Sequence, residues 1–203
     1  MSQIRPASGP AWDIARLFPD QGDLSEIDYL KLTKHARILA EFTDGFIAVL
    51  PMPTTAHQRI VRYLIGLLIS FAADGRGEVL FAPLRVRLRP GRFREPDVVF
   101  MLAAHFDRIK NEYWERADLV MEVVSEVDPD RDVVEKRRDY AEAGIPEYWI
   151  VDPRHRMITV LKLEGQQYVV HGEFGAGSRA ASALLEGFGA DVNAVFEAAR
   201  AAQ

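Results

Sequence analysis

Asp97, Glu122 and Lys136 are the residues of this chain whose types and surroundings could do chemistry. Asp97 sits in Arg94-Glu95-Pro96-Asp97-Val98-Val99-Phe100, at the head of an apolar run. Glu122 interrupts Leu119-Val120-Met121-Glu122-Val123-Val124-Ser125, in which every neighbour up to Val124 is apolar. A carboxylate in a buried strand is costly unless a cation, an arginine or several donors compensate it. Two such carboxylates suit a divalent cation, which takes oxygen ligands. A lysine aimed at the same place adds a group that can stabilise charge on phosphorus. Together they point to metal-dependent phosphodiester hydrolysis. Taken singly, each has a plainer reading. Asp97 fits a turn aspartate beside a proline, Glu122 half of a buried ion pair with an arginine, and Lys136 a lysine whose stem covers the core.

The helical geometry around Lys136 sharpens its reading. At about 100° per residue with Val133 at zero, Tyr140 falls near 340°, Lys136 near 300° and Ala143 near 280°. Arg138, Glu135 and Asp139 fall on the other side, at roughly 140°, 200° and 240°. Lys136 therefore points with Val133 and Tyr140 toward the sheet, and Glu135-Lys136-Arg137-Arg138 is not simply a solvated charge run.

Arg85, Arg87 and Arg89 alternate with Val86 and Leu88, which places three guanidiniums on one strand face. Arg92 and Arg94 follow across a turn. Any one of them fits an exposed hairpin; as a group they suit phosphate oxygens and would position a nucleic-acid backbone without reading its sequence. Glu41, His57 and Ser125 are accessory candidates: a further carboxylate, a histidine near a helix start, and a hydroxyl after the Glu122 strand. The histidines show no H-x-x-x-H spacing, which disfavours a zinc protease.

These residues need a scaffold. Ser25 caps a short helix over 26–34. Residues 37–50 form a hairpin around Thr43-Asp44-Gly45, a strong turn signal. Thr55-Ala56-His57-Gln58 reads as a capping box opening a helix to about Ala73. Val79–Arg89 and Phe93–Leu102 are expected as strands joined by Arg89-Pro90-Gly91-Arg92, a type II turn. Residues 103–118 form a polar connection. Asp118–Val124 is a strand buried on both faces. Asp130 or Asp132 starts a helix that Gly144 and Pro146 end. Strands over 147–152 and 157–163, a weaker one over 168–171, and a short helix within 183–199 complete the chain. The class is α/β (α+β), with mostly antiparallel strands. Residues 1–22 read as an irregular arm and 23–203 as a single domain.

The 203 residues are 48% hydrophobic and 27% charged, with a net charge of -5 and no cysteine. A thiol nucleophile, a disulfide framework and a zinc-thiolate site are excluded. The acidic balance argues against a general polyanion-coating protein. No stretch is long enough to span a bilayer; the expected location is the cytoplasm, with no membrane partner.

Pro96-Asp97, Glu122-Val123-Val124-Ser125, Lys136 and the block Tyr140-Ala141-Glu142-Ala143-Gly144-Ile145-Pro146-Glu147-Tyr148-Trp149-Ile150-Val151-Asp152-Pro153 together resemble the Uma-two family, restriction-endonuclease-like proteins of the PD-(D/E)xK nuclease superfamily. Glu41 through Gly45, Pro53 through Gln58 and Leu185 through Phe188 match further landmarks, so the resemblance spans about residues 24–197. It implies a restriction-endonuclease-like mixed central sheet flanked by helices, and Mg²⁺- or Mn²⁺-dependent cleavage of nucleic acid, DNA above all. Asp97 and Glu122 would be metal ligands and Lys136 the third catalytic group. The superfamily's Glu-x-Lys would put lysine at 124, where this chain has Val124; Lys136 is the replacement from the neighbouring helix. A second copy of the chain is the other expected partner. The alternative is a catalytically silent DNA-binding or regulatory module that keeps the nuclease fold.

Overall fold

The computed structural model describes residues 21–36, 38–125 and 128–200; most of the expected N-terminal arm lies outside them. In chain order the elements are α1 (Glu26–Ala36), β1 (Ala40–Thr43), β2 (Phe46–Val49), α2 (Thr55–Ala72), β3 (Gly77–Phe81), β4 (Val86–Arg89), β5 (Arg92–Arg94), β6 (Val98–Leu102), β7 (Trp114–Glu115) and β8 (Leu119–Val123). Then come α3 (Lys136–Glu142), β9 (Glu147–Asp152), β10 (Met157–Glu164), β11 (Gln167–Phe174), β12 (Arg179–Ala181), β13 (Gly189–Asp191) and α4 (Val192–Glu197).

The main sheet has six strands in the order β11-β10-β9-β8-β6-β3. β8 runs parallel to β9 and antiparallel to β6. All five residues of β8, Glu122 among them, are buried, and its four apolar residues suit a strand covered on both faces. α2 covers one face: Ile60, Val61, Leu64 and Leu68 meet Val98, Phe100, Leu119, Met121 and Val123. α3 covers the other: Tyr140, Ala141 and Ala143 meet Val99, Val120, Val124, Tyr148 and Ile150. The spacing of apolar residues on each helix creates the stripe that the sheet buries.

A second sheet, β2-β1-β5-β4-β7, packs α1 through Tyr29, Phe42, Ile47 and Phe93. Its β1–β2 turn is Asp44-Gly45, with φ of 46° and 91°, the paired left-handed geometry that a two-residue hairpin demands. The site is tight as well. A Cβ on Gly45 would stand 2.3 Å from the Gly22 carbonyl oxygen.

Several expectations are corrected. Val79–Arg89 is not one strand but β3 and β4, and Phe93–Leu102 is not one strand but β5 and β6; in each case the two pieces lie in different sheets. Pro83 and Pro96 interrupt the two halves of this long hairpin, and neither can donate to a ladder. Pro96-Asp97 therefore marks the crossing from one sheet to the other. The cap of α2 is Thr54, whose side chain accepts from the His57 N–H, not Thr55. The helix before α3 begins at Pro129, a favoured first position, so Asp130 and Asp132 lie inside it. Arg131–Glu135 forms a π-turn there. β11 is longer than expected, and the β12–β13 pair was not foreseen, its short Arg-Ala-Ala and Gly-Ala-Asp segments having little strand propensity.

Candidate active site

The β6–β8 register pairs Val98 with Met121 and Val99 with Val120. One step further it sets Asp97 opposite Glu122, at the end of β6 where the chain leaves the second sheet. Asp97 Oδ2 accepts the Val123 N–H at 2.8 Å, and Oδ1 stands 3.0 Å from His57 Nε2. His57 reaches it from the first turn of α2, held there by the Thr54 cap.

Glu122 is buried, 2% exposed. Its Oε1 accepts the Tyr140 hydroxyl, and its Oε2 lies 2.8 Å from Lys136 Nζ. Lys136 Nζ is also 3.0 Å from Asp132 Oδ1 and 3.9 Å from Glu41 Oε1. The cation beside Glu122 is thus a lysine and not an arginine. Glu122 and Lys136 meet directly, Glu41 stands beside Lys136, and Asp97 with its His57 partner lies against the backbone of Val123, next to Glu122. Ser125 closes the arrangement by its backbone N–H, 3.3 Å from Asp132 Oδ2.

Electrostatics follow from burial. Burial raises the Glu122 carboxyl above its ordinary range, Lys136 opposes that rise, and Asp97 and Asp132 add to it. Burial alone would lower Lys136, but Asp132, Glu122 and Glu41 outweigh it and raise the ammonium. Glu41 behaves differently: burial pushes it up, yet Arg131, Arg94 and Lys136 bring it down to about 2. It stays an anion, bonded to Arg131 and 3.5 Å from Arg94.

Each arginine of the expected phosphate-binding group has a carboxylate beside it. Arg87 pairs with Glu26 at 2.8 Å and Arg89 with Asp44 at 2.8 Å. Arg85 stands 3.9 Å from Glu95, and Arg92 bonds Asp139 at 2.7 Å. Arg94 is buried and its donors go to Asp139, Thr43 and the Phe42 and Phe93 carbonyls. Arg89 is the most exposed of the five, its side chain 41% open. The expectation that Asp139 faces away from the sheet is corrected: it is 1% exposed and takes Arg92 and Arg94. The π-turn changes the angular step just before α3, and the hairpin arginines supply countercharge that no helical wheel contains.

Asp132, Arg131 and Glu95 belong to the arrangement although sequence alone did not single them out, while Tyr140 lies on the sheet-facing side expected of it. Asp132 had a signal, lying one helical turn before Lys136. Glu95, held at about 8 by burial and by Glu41, had only its place beside Pro96-Asp97.

Among the described residues no three His, Asp or Glu side chains form a ready metal cage. Asp97 and Glu122 nonetheless fit a hard divalent cation. Asp97 next to β6 and Glu122 on β8 carry the carboxylate oxygens that a hard divalent cation takes as ligands.

The model of the Uma2 family, described as "Putative restriction endonuclease", matches residues 27–193. The chain belongs to the Uma2 family. No curated protein gives a significant match. A solved structure that does match is the crystal structure of "a putative nuclease belonging to DUF820" from Anabaena variabilis ATCC 29413, with a TM-score of 0.65 and 17% identity over 79% of this chain and 91% of that one. At that identity the likeness establishes the fold. The Uma2 chain described here is accordingly a mixed α/β, restriction-endonuclease-like protein, and no helix among its described residues is long and apolar enough to cross a membrane.

Proposed function

We propose that this chain is a divalent-cation-dependent nuclease that hydrolyses phosphodiester bonds of nucleic acid, with DNA as substrate and Mg²⁺ or Mn²⁺ as cofactor. The observation that carries the reading is Lys136 Nζ at 2.8 Å from Glu122, beside the strand register that sets Asp97 opposite Glu122.

Asp97 and Glu122 would hold the cation, with water and backbone carbonyl oxygen completing its shell. When bound, the cation supplies Lewis acidity and lowers the pKa of a water molecule. The chain's own groups then have distinct tasks. His57 and the Val123 N–H fix the Asp97 carboxylate. Tyr140 fixes one oxygen of Glu122. An ammonium has three N–H donors, and among the described residues those of Lys136 have two carboxylate acceptors within hydrogen-bond distance, on Glu122 and Asp132. The third donor serves to orient the attacking water or to hold a phosphoryl oxygen as charge develops there. Arg89, the most exposed of the hairpin arginines, is the best placed of them to meet a neighbouring phosphate once it leaves Asp44.

The test is cleavage of duplex DNA, single-stranded DNA and RNA with Mg²⁺ or Mn²⁺, by wild type and by Glu122→Gln. Loss of cleavage in the variant alone supports the assignment. Equal activity in both proteins removes it. Metal-independent DNA binding without turnover would instead select the silent binding module.

A further inference from the structure

We propose that Asp132 is the positioning residue that tethers Lys136 to the strand bearing Glu122; this rests on the nuclease reading of the same site. A lysine two residues after the glutamate would be fixed by the strand itself. Here that place is Val124, and the lysine comes from the helix that follows the strand in sequence. A helix-borne lysine needs another restraint to hold its ammonium to the tolerance that catalysis demands.

Asp132 supplies that restraint at two ends. Oδ1 lies 3.0 Å from Lys136 Nζ, and Oδ2 accepts the Ser125 N–H at 3.3 Å, just past the end of β8. One carboxylate thus bridges the lysine and the backbone after Glu122. Asp132 is itself held, because its carbonyl oxygen accepts the Tyr148 hydroxyl from β9 at 2.8 Å, and β9 is the parallel neighbour of β8. It is 5% exposed. Neither Asp132 contact needs a metal, so the tether is a property of the chain alone.

Asp132→Asn keeps the shape but can offer an acceptor to only one of its two partners, since its amide NH₂ would face the other donor. Asp132→Ala removes both links. The expected result is a fall in kcat of ~10-fold for Asp132→Asn and ~100-fold for Asp132→Ala, with KM and Mn²⁺ affinity within about 3-fold of wild type. In a Lys136→Met background neither change should slow the enzyme further, because a tether has nothing left to hold. Multiplicative losses in the double variants would make Asp132 a general structural residue and overturn the proposal.

A second readout needs no turnover. The Lys136 ammonium, held by two carboxylates, should give a protected side-chain ¹⁵N–¹H resonance, assigned by its loss in Lys136→Met. Asp132→Asn should broaden or remove it while the backbone spectrum shows a folded protein. A resonance unchanged in Asp132→Asn overturns the tether whatever the activity. A resonance that responds, in a protein that cleaves no nucleic acid, upholds the tether and removes the nuclease reading.

Discussion

Lys136 Nζ stands 2.8 Å from Glu122 Oε2, and it arrives there from a helix, not from the strand that carries the glutamate. The ion pair is almost fully buried, so its geometry is set by packing and not by solvent. Lys136→Met should cut cleavage by ~100-fold or more, the scale seen when a donor to developing charge is removed. Mn²⁺ binding by calorimetry should persist. Asp97→Asn and Glu122→Gln should lose both cleavage and Mn²⁺ binding.

Arg94 and Arg89 belong to one hairpin but should answer differently to removal. Arg94→Ala leaves Asp139 and Glu41 short of a buried partner and should cost ~3–5 kcal/mol in chemical denaturation. Arg89→Ala breaks an exposed pair with Asp44 and should cost less than about 1 kcal/mol. DNA binding, measured in a Glu122→Gln background, should weaken in Arg89→Ala and lose part of its salt dependence.

Glu95 gives a pH signature. Its carboxyl rises from 4.5 to about 8 through burial and the proximity of Glu41. Between those values the folded chain keeps a proton that the unfolded chain releases. Stability from this group therefore falls as pH rises from about 4.5 to about 8. Glu41, lowered to about 2, acts in the opposite window and loses its contribution as pH drops below 4.5. The melting temperature of wild type should thus decline relative to Glu95→Gln between pH 5 and 8. Parallel curves for the two proteins would refute the account.

Glu147 offers a prediction away from the site. Its carboxylate accepts Trp149 Nε1 at 2.6 Å, Ser182 Oγ at 2.7 Å, and the N–H groups of Ala183 and Leu184 at 2.6 and 2.7 Å. It pins the segment between β12 and β13 to the main sheet. Glu147→Gln turns an amide NH₂ toward donors and should cost about 3 kcal/mol, read by urea denaturation.

The sequence made some of this arrangement legible and hid the rest for identifiable reasons. Glu122 announced itself because a carboxylate among valines has to be compensated. Lys136 could be placed because a helix repeats regularly, and Tyr140 lay on the same predicted face. Asp139 was misplaced because a π-turn and two arginines from a distant hairpin act on it, and neither is visible in local periodicity. The two long strands break earlier than expected because Pro83 and Pro96 lack the N–H that a ladder needs, and the pieces on either side of each enter different sheets. The hairpin arginines looked available for phosphate because their acidic partners, Glu26, Asp44 and Asp139, come from three separate elements.

Val124 stands two residues after Glu122, where a Glu-x-Lys pattern would carry its lysine. It is 3% exposed and packs with Tyr140, Tyr148 and Ile150, while its N–H joins the Val151 carbonyl at 2.9 Å. In a strand that carried its own lysine, one residue would have to serve reactivity and cohesion together. Here those duties fall on separate segments of the chain. The strand keeps Val124 packed among its apolar neighbours, and the amine beside Glu122 can be repositioned by changing helix residues alone, without reopening the centre of the molecule.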